Sequence, residues 1–268
     1  MHISGENFQQ LADIYLGTPE DFMFNPVIME QIEKHQVLEN ICTMYDNPPI
    51  LFLYPHHLRL FAEKLKYLCN PFTLITHNSD VNIEEHNPYV QAILQCPLLQ
   101  KWWAQNLCFI HSKMHFLPIG IANSMWEHGN IELYKNVSIV KSQEIHNNYS
   151  IYTNVAERRE CADAMESRAS MLPMVSAKEN VERLAKYKYC LCPEGNGVDT
   201  HRLWEALYLD CIPIVKNTPF TRVVNHYTNG ELGLYIVNSW WDVELPTNVI
   251  KPNNKWLTLE HYENMIRI

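Results

Sequence analysis

Apolar positions fall into short clusters with sharp borders. The run ILFLY at 50–54 is fenced by prolines at 49 and 55, which predicts a short buried strand. From 57 to 68, Leu58, Phe61, Leu65 and Leu68 recur at helical spacing. A second apolar run, 72–76, opens directly into the polar string His77-Asn78-Ser79-Asp80. Residues 89–94 and 98–105 read as helices, and 108–111 and 116–119 as further short strands. Upstream, 8–15 and 27–35 read as two short helices around a loop at 17–26. Strands alternating with helices predict an α/β layer with a mostly parallel sheet.

The periodicity fades over 125–147 and then restarts. A strand is predicted at 150–153, helices at 156–165 and 177–187, and a strand at 189–192. A glycine turn at 193–199, a helix at 200–209 and a strand at 212–215 complete one βαβ unit. A last strand at 234–237 and a terminal helix at 259–266, capped by Thr258, follow. The expected organisation is an α/β unit at 1–125, a linker at 126–148, and a second α/β unit at 149–240. The tail at 241–268 is placed against the first unit. Two such units enclose a cleft, and open parallel sheets bind ligands beyond the carboxyl ends of their strands.

Composition narrows the classes. The 268 residues are 47% hydrophobic and 19% charged, which fits a packed core. With 21 basic against 30 acidic residues and a net charge of −9, nucleic acid is a poor partner. No run approaches a membrane span and no apolar leader opens the chain, so a cytoplasmic location is expected. Eight scattered cysteines include no CxxC pair, and free thiols are expected. Thirteen histidines form no metal-ligand motif, so no metal is assigned.

The βαβ unit at 188–217 carries the chemistry. Its turn is built on Gly195, Asn196 and Gly197 and leaves the next helix N-terminus open, a geometry that binds phosphate. Arg202 falls in the first helical turn and Glu205 three residues on, along the same face. A cation at the phosphates and a carboxylate one turn deeper suit the diphosphate and ribose of a nucleotide. The plain alternative is a surface ion pair worth about 0.2–0.5 kcal/mol.

The segment CPEGNGVDTHRLWEALYLDCIPIV, 192–215, resembles the C-terminal signature of exostosin-like glycosyltransferases. THNSD at 76–80, LPIGIANSMWEHG at 117–129 and TNVAERREC at 153–161 are similar to compact viral and bacterial members, including the chlorovirus xylosyltransferases. Asp210 departs from the glycine common after this helix in the family.

The resemblance implies a GT-B fold of two Rossmann-like domains, with the nucleotide sugar held by the second and the acceptor by the first. It implies inverting transfer of a sugar, such as xylose, from a UDP-sugar to a glycan hydroxyl, without a required metal or other cofactor. No Asp-x-Asp triplet occurs, in keeping with this. Arg202 and the amides of 197–200, Thr200 included, then hold the diphosphate, and Glu205 takes the ribose. Either Arg158 or Arg159 supplies a second phosphate cation, with Asn154 orienting that loop. Asp199 is read as the helix N-cap ahead of a substrate contact. The general base is expected across the cleft at Asp80, with His77 in reserve, and Glu127 and His128 face the acceptor side. A non-catalytic nucleotide- or glycan-binding module and a GDP-fucose-dependent fucosyltransferase-like enzyme are the competing readings.

Overall fold

The computed structural model describes residues 1–18, 20–21, 30–44, 48–245 and 252–268. Among the described residues, ten strands form two sheets in which every pairing is parallel. The first comprises β1 (Ile14–Gly17), β2 (Glu30–Gln31), β3 (Ile50–Leu53), β4 (Phe72–Thr76), β5 (Leu99–Ala104) and β6 (Met114–Phe116). Its spatial order is β2-β1-β3-β4-β5-β6. The second comprises β7 (Gln143–His146), β8 (Tyr187–Leu191), β9 (Ile212–Lys216) and β10 (Tyr235–Val237), in the order β10-β9-β8-β7. The central strands β3 and β4 are buried along their whole length, the mark of a sheet covered on both faces. The architecture is α/β and compatible with a Rossmann-like class.

The α-helices among the described residues are α1 (Gly5–Gln9), α2 (His35–Met44), α3 (Leu58–Lys64), α4 (Pro88–Leu94), α5 (Ile131–Lys135), α6 (Val155–Met165), α7 (Ala177–Leu184), α8 (His201–Tyr208), α9 (Pro219–Tyr227) and α10 (Leu259–Ile266). Several begin on recognisable caps. Asn87 accepts the Tyr89 amide at 2.9 Å ahead of Pro88, and Ser176 and Glu179 form a reciprocal capping box. No helix among the described residues is long and apolar enough to cross a membrane.

One apolar core runs through both sheets. Phe116 of β6 stacks on Trp204 of α8 at 6.1 Å and meets Phe220 of α9 edge-on at 5.9 Å. Tyr227 at the end of α9 donates to the Met114 carbonyl at 2.7 Å. Helix α10 returns to the start of the chain: the Leu259 amide donates to the Met1 carbonyl, and Tyr262 packs edge-on against Phe8 at 5.3 Å. Trp204 is thus core, as its helical neighbours predict.

The structure departs from the sequence reading at identifiable places. Residues 98–105, read as helix, contain β5. The end of the helix read at 8–15 is β1. Of the helix read at 27–35, positions 27–29 lie outside the described residues, and Glu30–Gln31 is β2. Position 108–111 is loop, and the strand expected at 116–119 ends at Phe116. A 3₁₀ turn, Ile151–Thr153, replaces the strand at 150–153. The segment read as linker holds α5 and β7, so the second sheet begins before residue 149. Thr258 makes no capping bond; its hydroxyl donates to the Lys255 carbonyl at 2.9 Å. Asp210 takes the left-handed conformation, φ 52°, where a glycine would be unstrained. The seven described cysteines are free thiols.

Candidate functional site

Strand β8 delivers the chain to the glycine turn, and the turn is shaped by what lies against it. The Gly195 amide donates to the Gly197 carbonyl at 3.1 Å. A Cβ on Gly195 would sit 2.7 Å from Nη2 of Arg158, and one on Gly197 would sit 3.1 Å from the Asn106 side-chain nitrogen. Both glycines make room for a neighbour, the first for a guanidinium.

Arg158, on α6, is anchored entirely by neutral acceptors. Its Nε donates to the Glu194 carbonyl at 2.9 Å and its Nη1 to the Ser150 carbonyl at 2.7 Å, over the Tyr149 ring. Burial, together with the like charge of Arg202, brings its pKa down to about 10, so it stays cationic at neutral pH. Arg202, in the first turn of α8, leaves its Nη1 buried without a hydrogen-bond partner. Neither arginine is in an ion pair among the described residues, so the Arg202–Glu205 pair considered from spacing does not form. Lys216, by contrast, is spent on Glu157 and Glu160 at 2.7 and 2.8 Å.

The two guanidiniums line one wall of a cavity of about 570 Å³ between the sheets, a size suited to a small organic ligand. The turn residues Gly195, Asn196 and Gly197 line it, as do Thr200 and Glu205. Asp80, Glu127 and His128 reach it from the first half of the chain. Asn148, Met174, Val175 and Asn180, which no motif in the sequence signals, also line it. The Asn180 Oδ1 is buried and unpartnered. An orphaned donor on Arg202 and an orphaned acceptor on Asn180 in one cavity leave hydrogen-bonding capacity for a ligand.

The choice between the adjacent arginines is decided by helix phase. Arg159 points to solvent and does not line the cavity; Arg158 does. Asn154 caps α6 by accepting the Glu157 amide at 3.4 Å, and its Nδ2 donates to the Gly195 carbonyl at 3.3 Å. It holds the turn rather than lining the cavity.

Asp199 is not the N-cap. That position is Thr200, which makes no side-chain capping bond. Asp199 is buried and ties the two halves together. Its carboxylate accepts the Ile119 amide at 2.6 Å and the Trp204 indole N–H at 2.8 Å, while its own amide donates to Asn106 at 3.0 Å. Burial pushes its pKa up to about 7 against those donors.

His77, the reserve candidate for the base, sits in the core. It is fully buried and lines neither main cavity. Its Nε2 donates to the Pro118 carbonyl at 2.9 Å and its Nδ1 accepts the Asn78 amide at 2.8 Å, so both ring nitrogens are used. Burial brings its pKa down to about 4. Because the folded value lies below the ordinary 6.5, the unfolded chain binds more protons between these values, and stability falls as pH drops through that window. The loss is about 3 kcal/mol. Urea unfolding of the wild type and His77→Gln between pH 7 and about 4 is expected to show the shallower pH dependence in the variant.

A second cavity, of about 240 Å³, adjoins the first and shares Asp80, Ile119 and His201 with it. Asp80 is exposed at this junction. His201, the first residue of α8, was not picked out from sequence, although it sits beside Arg202 in the motif. Its Nδ1 lies 2.7 Å from the Gly120 carbonyl, which can only accept, so Nδ1 carries the proton and Nε2 keeps a lone pair. Burial lowers its pKa, while the charges of Glu205 and Asp80 oppose the shift. The arrangement therefore offers two cations beside a helix N-terminus that no side chain caps. It also places a carboxylate and a neutral imidazole where two cavities meet. No protein-family model matches the chain, and no curated protein matches it either.

Proposed function

We propose that the chain is a glycosyltransferase of GT-B type, exostosin-like, that moves a sugar from a nucleotide diphosphate donor to a glycan hydroxyl. The observation that carries this reading is the pair Arg158 and Arg202, which converge without carboxylate partners beside the open N-terminus of α8. Two fixed cations and a helix dipole suit the double charge of a leaving diphosphate, and their stabilisation grows as that charge develops. Glu205, one turn deeper on the cavity wall, is placed for the ribose hydroxyls. The donor is a UDP-sugar, UDP-xylose by resemblance, and the acceptor enters from the second cavity.

In the reaction the acceptor oxygen forms a bond to the anomeric carbon as the bond from that carbon to the diphosphate oxygen breaks, with inversion. The acceptor proton passes to a base at the junction, and the bonding electrons leave with UDP. The sequence motif places the base at Asp80. The locked tautomer of His201 favours its Nε2 as the atom that takes the proton, with the Asp80 charge supporting the imidazolium.

The direct test is a thermal-shift series with UDP, GDP, UDP-xylose, UDP-glucose and GDP-fucose, followed by UDP release with and without glycan acceptors. Uridine nucleotides are expected to raise the melting temperature, since only a ligand of the native state does so. Stabilisation by GDP alone would turn the assignment to the GDP-fucose class. UDP binding without release under any acceptor would leave a binding module.

A further inference from the structure

Asp21 lies 35 positions before His56, which His57 follows directly, and the three meet in space. The Asp21 Oδ1 is 2.7 Å from the His56 Nε2, and its Oδ2 is 2.9 Å from the His57 Nε2. The ligand-capable atoms of all three lie within 4.8 Å of one another. Asp21 follows β1, and the histidines follow β3, on a 3₁₀ turn started by Pro55. In the order β2-β1-β3, the chain leaves β1 to one side and returns on the other, so β1 and β3 flank the topological switch point of the first sheet. The carboxyl ends at such a point form a crevice where ligands bind in open parallel sheets. Asp21 and His56 line the second cavity there.

We infer that Asp21, His56 and His57 form a binding site for a divalent transition-metal ion, best suited to zinc. Two imidazoles and one carboxylate are the ligand set of open zinc sites, which keep further positions for water or a bound molecule. Bonds of about 2.0–2.1 Å to a tetrahedral ion set adjacent ligand atoms about 3.3 Å apart. The two imidazole–carboxylate spacings, which run to different oxygens of Asp21, open by about half an ångström to meet that figure, and the three ligand atoms already lie within 4.8 Å of one another. The carboxylate is fixed in advance: its Oδ2 also accepts the Thr18 amide at 2.7 Å. Satisfying one carboxylate does not need two consecutive histidines. His56 and His57 nonetheless both turn Nε2 toward it, with ring centroids 4.2 Å apart. On binding, each neutral ring presents its Nε2 lone pair and carries its proton on Nδ1, an exchange through solvent. The cavity supplies the open coordination side. Neither His56, His57 nor Asp21 lines the arginine cavity, so this site is separate from the donor phosphates and its test is independent of the transfer reaction.

The test uses the full chain stripped with EDTA and exchanged into chelator-free buffer. Zn²⁺ is titrated in competition with a chromophoric chelator, and Co²⁺ is followed by its visible absorption. One equivalent of each is expected to bind, with cobalt d–d bands and without the near-ultraviolet charge-transfer band that cysteine ligation produces. Asp21→Asn and His57→Gln are expected to weaken Zn²⁺ binding by about 100-fold or more. If either loses its folded circular-dichroism spectrum, the more exposed His56→Asn serves as the variant, with the same expectation. Absence of a bound equivalent in the wild type overturns the site. So does equal affinity in the wild type and His56→Asn, or a thiolate band in the cobalt form.

Discussion

Replacing Arg202 with methionine is expected to abolish stabilisation by uridine nucleotides while leaving the melting temperature of the free protein unchanged or higher. The two halves of this expectation have separate causes. Methionine keeps most of the aliphatic stem, so the packing of α8 beneath the turn survives. The guanidinium forms no ion pair in the free protein and leaves Nη1 unpartnered, so its removal breaks no short ion pair; burial opposes its charge, while Cys190 and the Glu205 carboxylate favour it at longer range. It also relieves the like charge that helps push Arg158 down to about 10. With a diphosphate bound, the balance reverses. Truncating one member of a buried, hydrogen-bonded charge pair costs about 2–5 kcal/mol, a loss of 30-fold or more in affinity. Isothermal titration with UDP and a urea midpoint for the free protein check both halves. Unchanged UDP affinity removes Arg202 from the donor site. A large loss of stability in the free variant shows instead that its role is structural. Such a site holds two like charges close together in the free protein, and a bound anion would offset the repulsion that Arg158 feels from Arg202.

The parts of this arrangement visible in the sequence are those whose signal is local. The strand, glycine turn and helix at 188–217 are contiguous, and each announces itself by composition. The turn, Arg202, Glu205 and Asp80 consequently all fall on one cavity. Strand β5 carries a helical signature in sequence because its apolar residues, Leu99, Trp102 and Trp103, fall at spacings that also fit a helix. Its consecutive residues Trp102, Trp103 and Ala104 are all buried, so the strand lacks the alternation that marks a half-exposed one. Helix α9 had audible signals in Thr218 and Pro219, a cap followed by proline at the first helical position, yet no helix was read there. His77 and Asp199 illustrate the limit. Their residue types suggest chemistry, but burial decides their role, and their partners, Pro118 and Ile119, lie about 40 and 80 positions away. The grouping of Asp21 with His56 and His57 depends in the same way on which strands are neighbours. Helix phase, by contrast, was a local fact, and it is what separates Arg158 from Arg159.

The second large effect concerns the proton. His201→Ala is expected to lower turnover with a UDP-sugar and acceptor by about 10²- to 10⁴-fold, the usual contribution of a positioned base. UDP affinity is expected to hold within a few-fold, because His201 faces the junction of the cavities rather than the arginines alone. Asp80→Asn is expected to cost less and to act through the imidazole. The Asp80 charge raises the His201 pKa against the lowering by burial, so removing it makes the ring easier to deprotonate and weaker as a base. The sign follows for the acid limb of the kcat/KM profile. In the wild type it lies below pH 6.5, where the free imidazole loses its lone pair to a proton, and in Asp80→Asn it moves lower still. Rate profiles of the two variants distinguish the roles. If Asp80→Asn removes the entire base contribution and His201→Ala retains an acid limb, the carboxylate takes the proton directly and the imidazole only positions the acceptor. If His201→Ala flattens the acid limb while Asp80→Asn shifts it downward, the tautomer set by the Gly120 carbonyl is what makes α8 supply both the cation for the leaving group and the base for the nucleophile.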